Sequence, residues 1–353
     1  MKKVKICLSG LGNVGRHFIR LLIERREMLQ GKYGLDIELI AVSCSDGGLV
    51  SSSPLELDTV CDCSRQQPWA SSFPGIGQDG LEGWRIIENS QADILVEATP
   101  TDLQTGEPGL TNFKTAIANG MDVVTLTKGA LVKDFSGLME LSKSRGLVIK
   151  FSGATAAALP TIDMAEYCLA GSTINSIKGI LNGTTNFILT KMSQEKVDYD
   201  TALKEAQDLG IAEPKPDLDV QGWDTAAKIV ILSNAIYGTT LSMKDIPVSG
   251  IDRIDPEVLE KASSEGKVVK LVGESSIIAE SGGKHDQGKV NVSVAPVPIE
   301  AEHVLASVDG TTKAIHFETD TLGELTVIGG KSNPRAAAAA ALKDLVNLAR
   351  EGR

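Results

Sequence analysis

Lys228 stands four residues after Asp224, in the run Gly222-Trp223-Asp224-Thr225-Ala226-Ala227-Lys228-Ile229-Val230-Ile231-Leu232. On a helix this spacing puts the ammonium and the carboxylate on one face. Asp224 would sit in the first turn, where a negative charge suits the positive end of the dipole. Glu213 and Asp219 arrive just upstream, in a segment that Pro214 and Pro216 keep out of helix, because each proline lacks an N–H and restrains its predecessor. An Asp–Lys pair at this spacing is ordinarily a surface contact worth about 0.3–0.5 kcal/mol. Here Ile229, Val230, Leu232 and Ile236 give the helix a buried face, so Lys228 borders the interior. A cation at that edge, flanked by carboxylates, can exchange one proton with an oxygen.

A proton donor of this kind needs a partner that moves electrons, and the N-terminus offers one. A short apolar run at 4–8 ends in Gly10-Leu11-Gly12-Asn13-Val14-Gly15, followed by an amphipathic stretch with Phe18, Leu21, Leu22 and Ile23 inward. A glycine turn between strand and helix lets the backbone approach a pyrophosphate, whose charge sits on the helix N-terminus. Further strands are expected at 37–42, 93–97, 122–127 and 147–151, with helices at 111–119 and 135–144 between them. Such alternation gives an α/β fold, a Rossmann-type doubly wound parallel sheet. Thr99, just beyond the third of these strands, falls on the loop such a sheet presents to its cofactor. The second strand ends in Ser43-Cys44-Ser45-Asp46, without Lys or Arg. An acid there suits the ribose of NAD, a base the extra phosphate of NADP, so NAD or use of both is expected. The segment 47–80 reads as irregular around one short helix, and 281–288 as a polar turn. After 151 the chain changes character, with β-like runs at 172–181, 268–272, 290–294, 315–318 and 323–330 and helices at 198–209 and 256–264. This is a second, α+β domain. Asn333 and Pro334 then open an alanine-rich final helix.

Size and composition agree with two domains: 353 residues, 42% apolar and 23% charged. A net charge of −11 argues against nucleic acid, which needs clustered Lys and Arg. The five cysteines make no disulfide framework and lack the paired spacing of a zinc site. No apolar run is long enough to span a membrane. A cytoplasmic protein is expected.

The stretch Ala206, Gly210, Pro216, Asp219, Gly222, Asp224 and Lys228 resembles the signature of homoserine dehydrogenases, departing from it at Lys215. Asn182-Gly183-Thr184-Thr185-Asn186-Phe187 resembles the second signature of that family. The resemblance implies NAD(P)-dependent reversible reduction of L-aspartate 4-semialdehyde to L-homoserine, in threonine, methionine and isoleucine biosynthesis. It implies Lys228 as acid/base, with Lys128 and Asp219 as its catalytic partners. Glu213, Asp224 and Thr184 would bind substrate. Gly10, Leu11, Gly12, Asn13, Val14, Gly15, Thr99, Lys128, Gly210, Gly329 and Gly330 would bind the cofactor. Lys128 is usually preceded by Asn in the family and here follows Thr127. The resemblance also implies a monovalent cation, sodium or potassium, on the backbone carbonyls of Thr155, Ala157 and Leu159. Ser152 stands where the family has the Glu that completes that site. The expected domains are 1–150, completed by 310–353, for the dinucleotide, and 151–309 for catalysis and homodimerisation. Other amino-acid or semialdehyde dehydrogenases, and a non-catalytic NAD-binding protein, are the alternatives.

Overall fold

The computed structural model describes residues 1–63, 69–279, 285–330 and 332–351. They form two compact units, one of 1–154 with 333–353 and one of 155–332.

The first unit is built on a seven-stranded sheet of order β4-β3-β2-β1-β5-β6-β7. Its strands are β1 (Lys2–Ser9), β2 (Leu35–Cys44), β3 (Gly47–Val50), β4 (Gly77–Asp79), β5 (Ile94–Glu97), β6 (Asp122–Thr125) and β7 (Ile149–Lys150). The five strands from β2 to β7 are parallel, with Ile6 opposite Leu39 on one side and Ile94 on the other. The chain leaves β1 towards β2 and later returns to β5 on the opposite side. The carboxyl ends of β1 and β5 therefore flank the crevice where such sheets bind ligands. The first helix, Asn13–Tyr33, buries Phe18, Ile19, Leu21 and Leu22 and stops at Gly34, whose φ of 67° few side chains would tolerate. The last helix, Pro334–Glu351, starts where the Asn333 side chain accepts a 2.8 Å hydrogen bond from the Ala336 amide. Its Ala338, Ala341 and Leu345 enter the same core as Phe18 and Leu22. The alanines favour helix and leave no bulk to hold it away.

The segment 47–80 is more regular than its composition suggests. Glycines in place of an alternating apolar pattern hide β3, which pairs antiparallel with both β2 and β4. A Cβ on Gly47 would lie 2.3 Å from the Gln78 carbonyl oxygen, so only glycine permits that approach.

The second unit is a five-stranded sheet of order β10-β9-β8-β11-β12, backed by helices. The strands are β8 (Ile174–Ile180), β9 (Lys267–Ala279), β10 (His285–Glu300), β11 (Lys313–Thr319) and β12 (Glu324–Gly329), and all neighbours are antiparallel. β9 and β10 run well beyond the apolar stretches that announce them, because Ser275, Ser276, Asn291 and Ser293 interrupt the pattern without interrupting the ladder. Of the expected turn at 281–288, residues 281–284 lie outside the described residues and 285–288 already belong to β10. The expected boundary at 310 moves to 333. β11 pairs with β8 and β12, so 310–332 completes this sheet and not the first one. Residues 151–154 stay with the first unit. Among the described residues no helix is long and apolar enough to cross a membrane.

Candidate active site

In the first unit the glycine turn does what the sequence asks of it. Gly10 has a φ of 93°, and a Cβ there would lie 2.5 Å from the Ala98 carbonyl oxygen. A Cβ on Gly15 would lie 2.1 Å from the Gly10 carbonyl oxygen. These two glycines close the turn on itself and on the end of β5. Gly12 is different, since nothing lies within 4 Å of its missing side chain. That gap opens into a cavity of about 780 Å³ lined by residues 10–14, Arg16, Asp46, Trp69, Trp84 and Thr99. A bare backbone at a helix N-terminus, beside such a volume, fits a dinucleotide pyrophosphate.

Beneath the turn lies a polar cluster that the sequence did not announce. Glu97, fully buried at the end of β5, accepts hydrogen bonds from the Thr99 amide at 3.0 Å and from Asn112 Nδ2 at 2.9 Å, and a further one from the Thr99 hydroxyl. Asn112 Nδ2 also reaches Ser9 Oγ at 3.1 Å, which ties β1 to β5. Burial pushes the Glu97 carboxyl above its ordinary range, against the hydrogen bonds from Thr99 and Asn112 that pull it down. Lys128 caps the helix Gly129–Ser144 at the carboxyl edge of the sheet, its amide 3.3 Å from Thr101 Oγ1. Arg16, Trp69 and Trp84 were also missed as cavity residues. Their only sequence signal is nearness to the glycine turn or to β4, which was itself unseen.

In the second unit Lys228 sits on the helix Trp223–Tyr237, with its side chain 11% exposed. Its ammonium donates to Asp224 Oδ2 at 2.5 Å and to the Leu181 carbonyl at 2.7 Å. Asn182 Nδ2 donates both to Asp224 Oδ2 at 2.9 Å and to Asp219 Oδ1 at 2.7 Å. One amide therefore joins the two carboxylates to each other and to the lysine. Asn182 is half of the reason this site exists. Its Oδ1 accepts from the Thr185 amide at 3.0 Å, capping the helix Gly183–Glu195, while its Nδ2 faces the acids. The quoted run containing Asn182 pointed to this loop, but the residue's second partner comes from across the fold. Asp219 rides on a short turn of helix, Asp217–Val220, and Gly222 at φ 85° swings the chain from it into the longer helix.

Thr184 is buried and spends its hydroxyl proton on the Ile211 carbonyl at 3.1 Å, so it anchors the loop that carries Glu213. Glu213 itself is exposed and stands outside the network; its carbonyl accepts from Gln207 Nε2 at 3.4 Å. Gly210 is an exposed turn residue at φ 70°. Gly329 and Gly330 end β12, in the second unit.

In the segment expected to hold a cation, two backbone carbonyls accept hydrogen bonds from the protein's own groups. The Leu159 carbonyl accepts from the Thr161 amide at 2.8 Å, and the Ala156 carbonyl accepts from the Leu159 amide at 3.2 Å and from Lys313 Nζ at 2.7 Å. In the first unit, Ser152 donates its hydroxyl to Asp344 Oδ1 at 2.9 Å and accepts from Lys343 Nζ at 2.9 Å. A hydroxyl so engaged does not supply the charge of a carboxylate ligand.

A family model described as homoserine dehydrogenase matches residues 160–346. The homoserine dehydrogenase of Methanocaldococcus jannaschii is 36% identical over 97% of this chain and 98% of its own length. The NAD(+)-dependent homoserine dehydrogenase of Pseudomonas canavaninivorans is 30% identical over 99% of this chain and 97% of its own. The crystal structure of a homoserine dehydrogenase from Thiobacillus denitrificans superposes with a TM-score of 0.81 at 28% identity, covering 99% of this chain and 74% of that one. These matches favour one family over the other dehydrogenases and over a non-catalytic nucleotide-binding protein. The chain belongs to the homoserine dehydrogenase family, NAD(P)-dependent oxidoreductases that act on a CH–OH group.

Proposed function

We propose that Lys228 is the acid/base of reversible L-aspartate 4-semialdehyde reduction to L-homoserine in this chain. The observation that carries the assignment is the lysine's own hydrogen bonding. An ammonium has three donors, and two of them are held by Asp224 and Leu181. The third is left for a substrate oxygen. In reduction Lys228 gives its proton to the aldehyde oxygen as the hydroxyl forms; in oxidation it takes that proton back. Asp224 positions the Lys228 side chain by its hydrogen bond and, with Glu213 at the loop, attracts the substrate's own ammonium group. Asp219 acts through Asn182, fixing Asp224. Thr184 holds the loop in place. Lys128 is the first unit's proposed contribution at the carboxyl edge of its sheet.

A dinucleotide bound against residues 10–15 and Thr99 supplies or takes up the hydride. Gly210, Gly329 and Gly330 are the second unit's proposed contacts to it. Asp46 and the absence of a base at the end of β2 support NAD. Arg16 lines the same cavity and gives a 2′-phosphate a cation, so use of both dinucleotides is proposed. No step is routed through a monovalent cation. A homodimer formed through the second unit is also proposed, supported by the exposed Val297 and Ile328 on its edge strands, as is a cytoplasmic setting.

The test is an absorbance assay at the nicotinamide band with homoserine and either dinucleotide. Turnover is expected with homoserine, and a panel of other amino acids should give little. Absence of turnover with homoserine would remove the reading.

A further inference from the structure

Thr99 lines the cavity beside the glycine turn and gives both of its hydrogen-bond donors to one atom. Its amide, at 3.0 Å, and its hydroxyl donate to Oε1 of the fully buried Glu97. The other carboxyl oxygen, Oε2, takes the Asn112 side-chain amide at 2.9 Å. That amide also reaches Ser9 Oγ, and Ser9 is the ladder partner of Glu97 across β1 and β5. A carboxyl group out of water is costly unless donors surround it. Here the donors come from the turn itself and from the helix Gly109–Ala118 that carries Asn112. A proton added to Glu97 would sit on Oε2, where the Asn112 amide can turn to accept it. Oε1 therefore keeps both Thr99 bonds with or without that proton.

A hydroxyl has one proton and two lone pairs. The proton of Thr99 is committed to Glu97, and among the described residues its oxygen accepts no hydrogen bond. What this hydroxyl offers to the cavity is acceptance alone. With the pyrophosphate on residues 10–15 and the adenosine ribose at the end of β2, the β5 side of the crevice is left for the nicotinamide half. We infer that Glu97 is a positioning residue for the cofactor: it makes the Thr99 hydroxyl an obligate acceptor, which selects a hydrogen-bond donor on the nicotinamide half, either the carboxamide amino group or a ribose hydroxyl. The inference rests on the reading of this turn as a dinucleotide site.

The experiment measures dissociation constants for the full chain by calorimetry, without homoserine. NAD is compared with acetylpyridine adenine dinucleotide, whose methyl ketone has no donor, and with an analogue deoxygenated on the nicotinamide ribose. The wild type is expected to bind NAD about fivefold more tightly than one of these, the size of one net hydrogen bond. Which analogue suffers identifies the donor. Thr99→Val keeps the shape and removes the acceptor, so the preference should disappear. Glu97→Met, with nothing to hold the Thr99 proton, should lose it too. Glu97→Gln, whose Oε1 still accepts from Thr99, should retain it. A general loss of order or affinity leaves such a ratio unmoved, so a merely structural role for Glu97 would not change it. A wild type without preference over either analogue would overturn the inference, as would a Thr99→Val or Glu97→Met protein that kept the preference. If Glu97→Met does not fold, the wild type and Thr99→Val still decide. A chain that binds no NAD at all would remove the dinucleotide site and this inference with it, whereas binding without preference counts against this inference alone.

Discussion

The two units carry candidate sites of opposite construction. In the first, the surface is mostly main chain: a glycine turn with one open position, Gly12, set at a helix N-terminus. Its polar side chains, Glu97, Asn112 and Ser9, lie underneath and hold the turn from below. In the second, the surface is side chain. Lys228, Asp224, Asp219 and Asn182 converge from three separate segments, and the backbone beneath them is ordinary helix and turn. A main-chain site tolerates substitution of its neighbours but not of its glycines. A side-chain site should fail by degrees, according to how many hydrogen bonds each residue makes.

That contrast can be broken by experiment. The largest effect is expected from Lys228→Ala, which should lower turnover at least about a hundredfold, the usual size of an acid/base contribution. Dinucleotide affinity, read by nicotinamide fluorescence, should stay close to wild type, and a matching loss of affinity would mean that the two surfaces are not separable. Gly10→Ala should do the reverse. A methyl group 2.5 Å from the Ala98 oxygen at φ 93° must displace the turn, so dinucleotide binding should weaken by about tenfold or more, equivalent to about 1.4 kcal/mol. Asn182→Ala should come next. It removes two hydrogen bonds to carboxylates, each worth about 1.5–3 kcal/mol in general, and steady-state kinetics should show kcat/KM lowered by about tenfold while dinucleotide binding holds.

The smallest effect concerns Glu97. Its folded carboxyl is shifted upwards by burial, so the native state holds this proton more tightly than the unfolded chain does. The stability it contributes is present below the ordinary carboxylate range and is lost as pH rises through the raised value. Unfolding midpoints measured across that interval should therefore decline less steeply for Glu97→Gln than for the wild type. An unchanged slope would show that the hydrogen bonds from Thr99 and Asn112 offset burial.

The same contrast explains what could be read from the sequence. Gly10, Gly12 and Gly15 are adjacent in the chain and do a local job, so their spacing alone predicted it. Asp224 and Lys228 share a helical face and were legible for the same reason. Asn182 was not, because its role depends on Asp219 and Asp224, which are distant in sequence. Glu97 read only as the last residue of a buried strand, and its partner Asn112 as one polar residue in a helix. The boundary at 333 was hidden in strand pairing, since nothing local shows that β11 pairs with β8, well over a hundred residues earlier. Glu213 shows how little chain proximity alone fixes: it belongs to the acidic segment in the sequence, yet its side chain is exposed and outside the Asn182 hydrogen-bond network.

The final helix, Pro334–Glu351, supplies Ala338, Ala341 and Leu345 to the core that Phe18 and Leu22 begin. During translation, the opening strands must wait for the second unit to be made before that helix leaves the ribosome. Until then the apolar surface meant for it stays uncovered on the nascent chain. A message cut short before codon 334 would release both units with an open seam in the first, suited to chaperone capture or aggregation more than to binding.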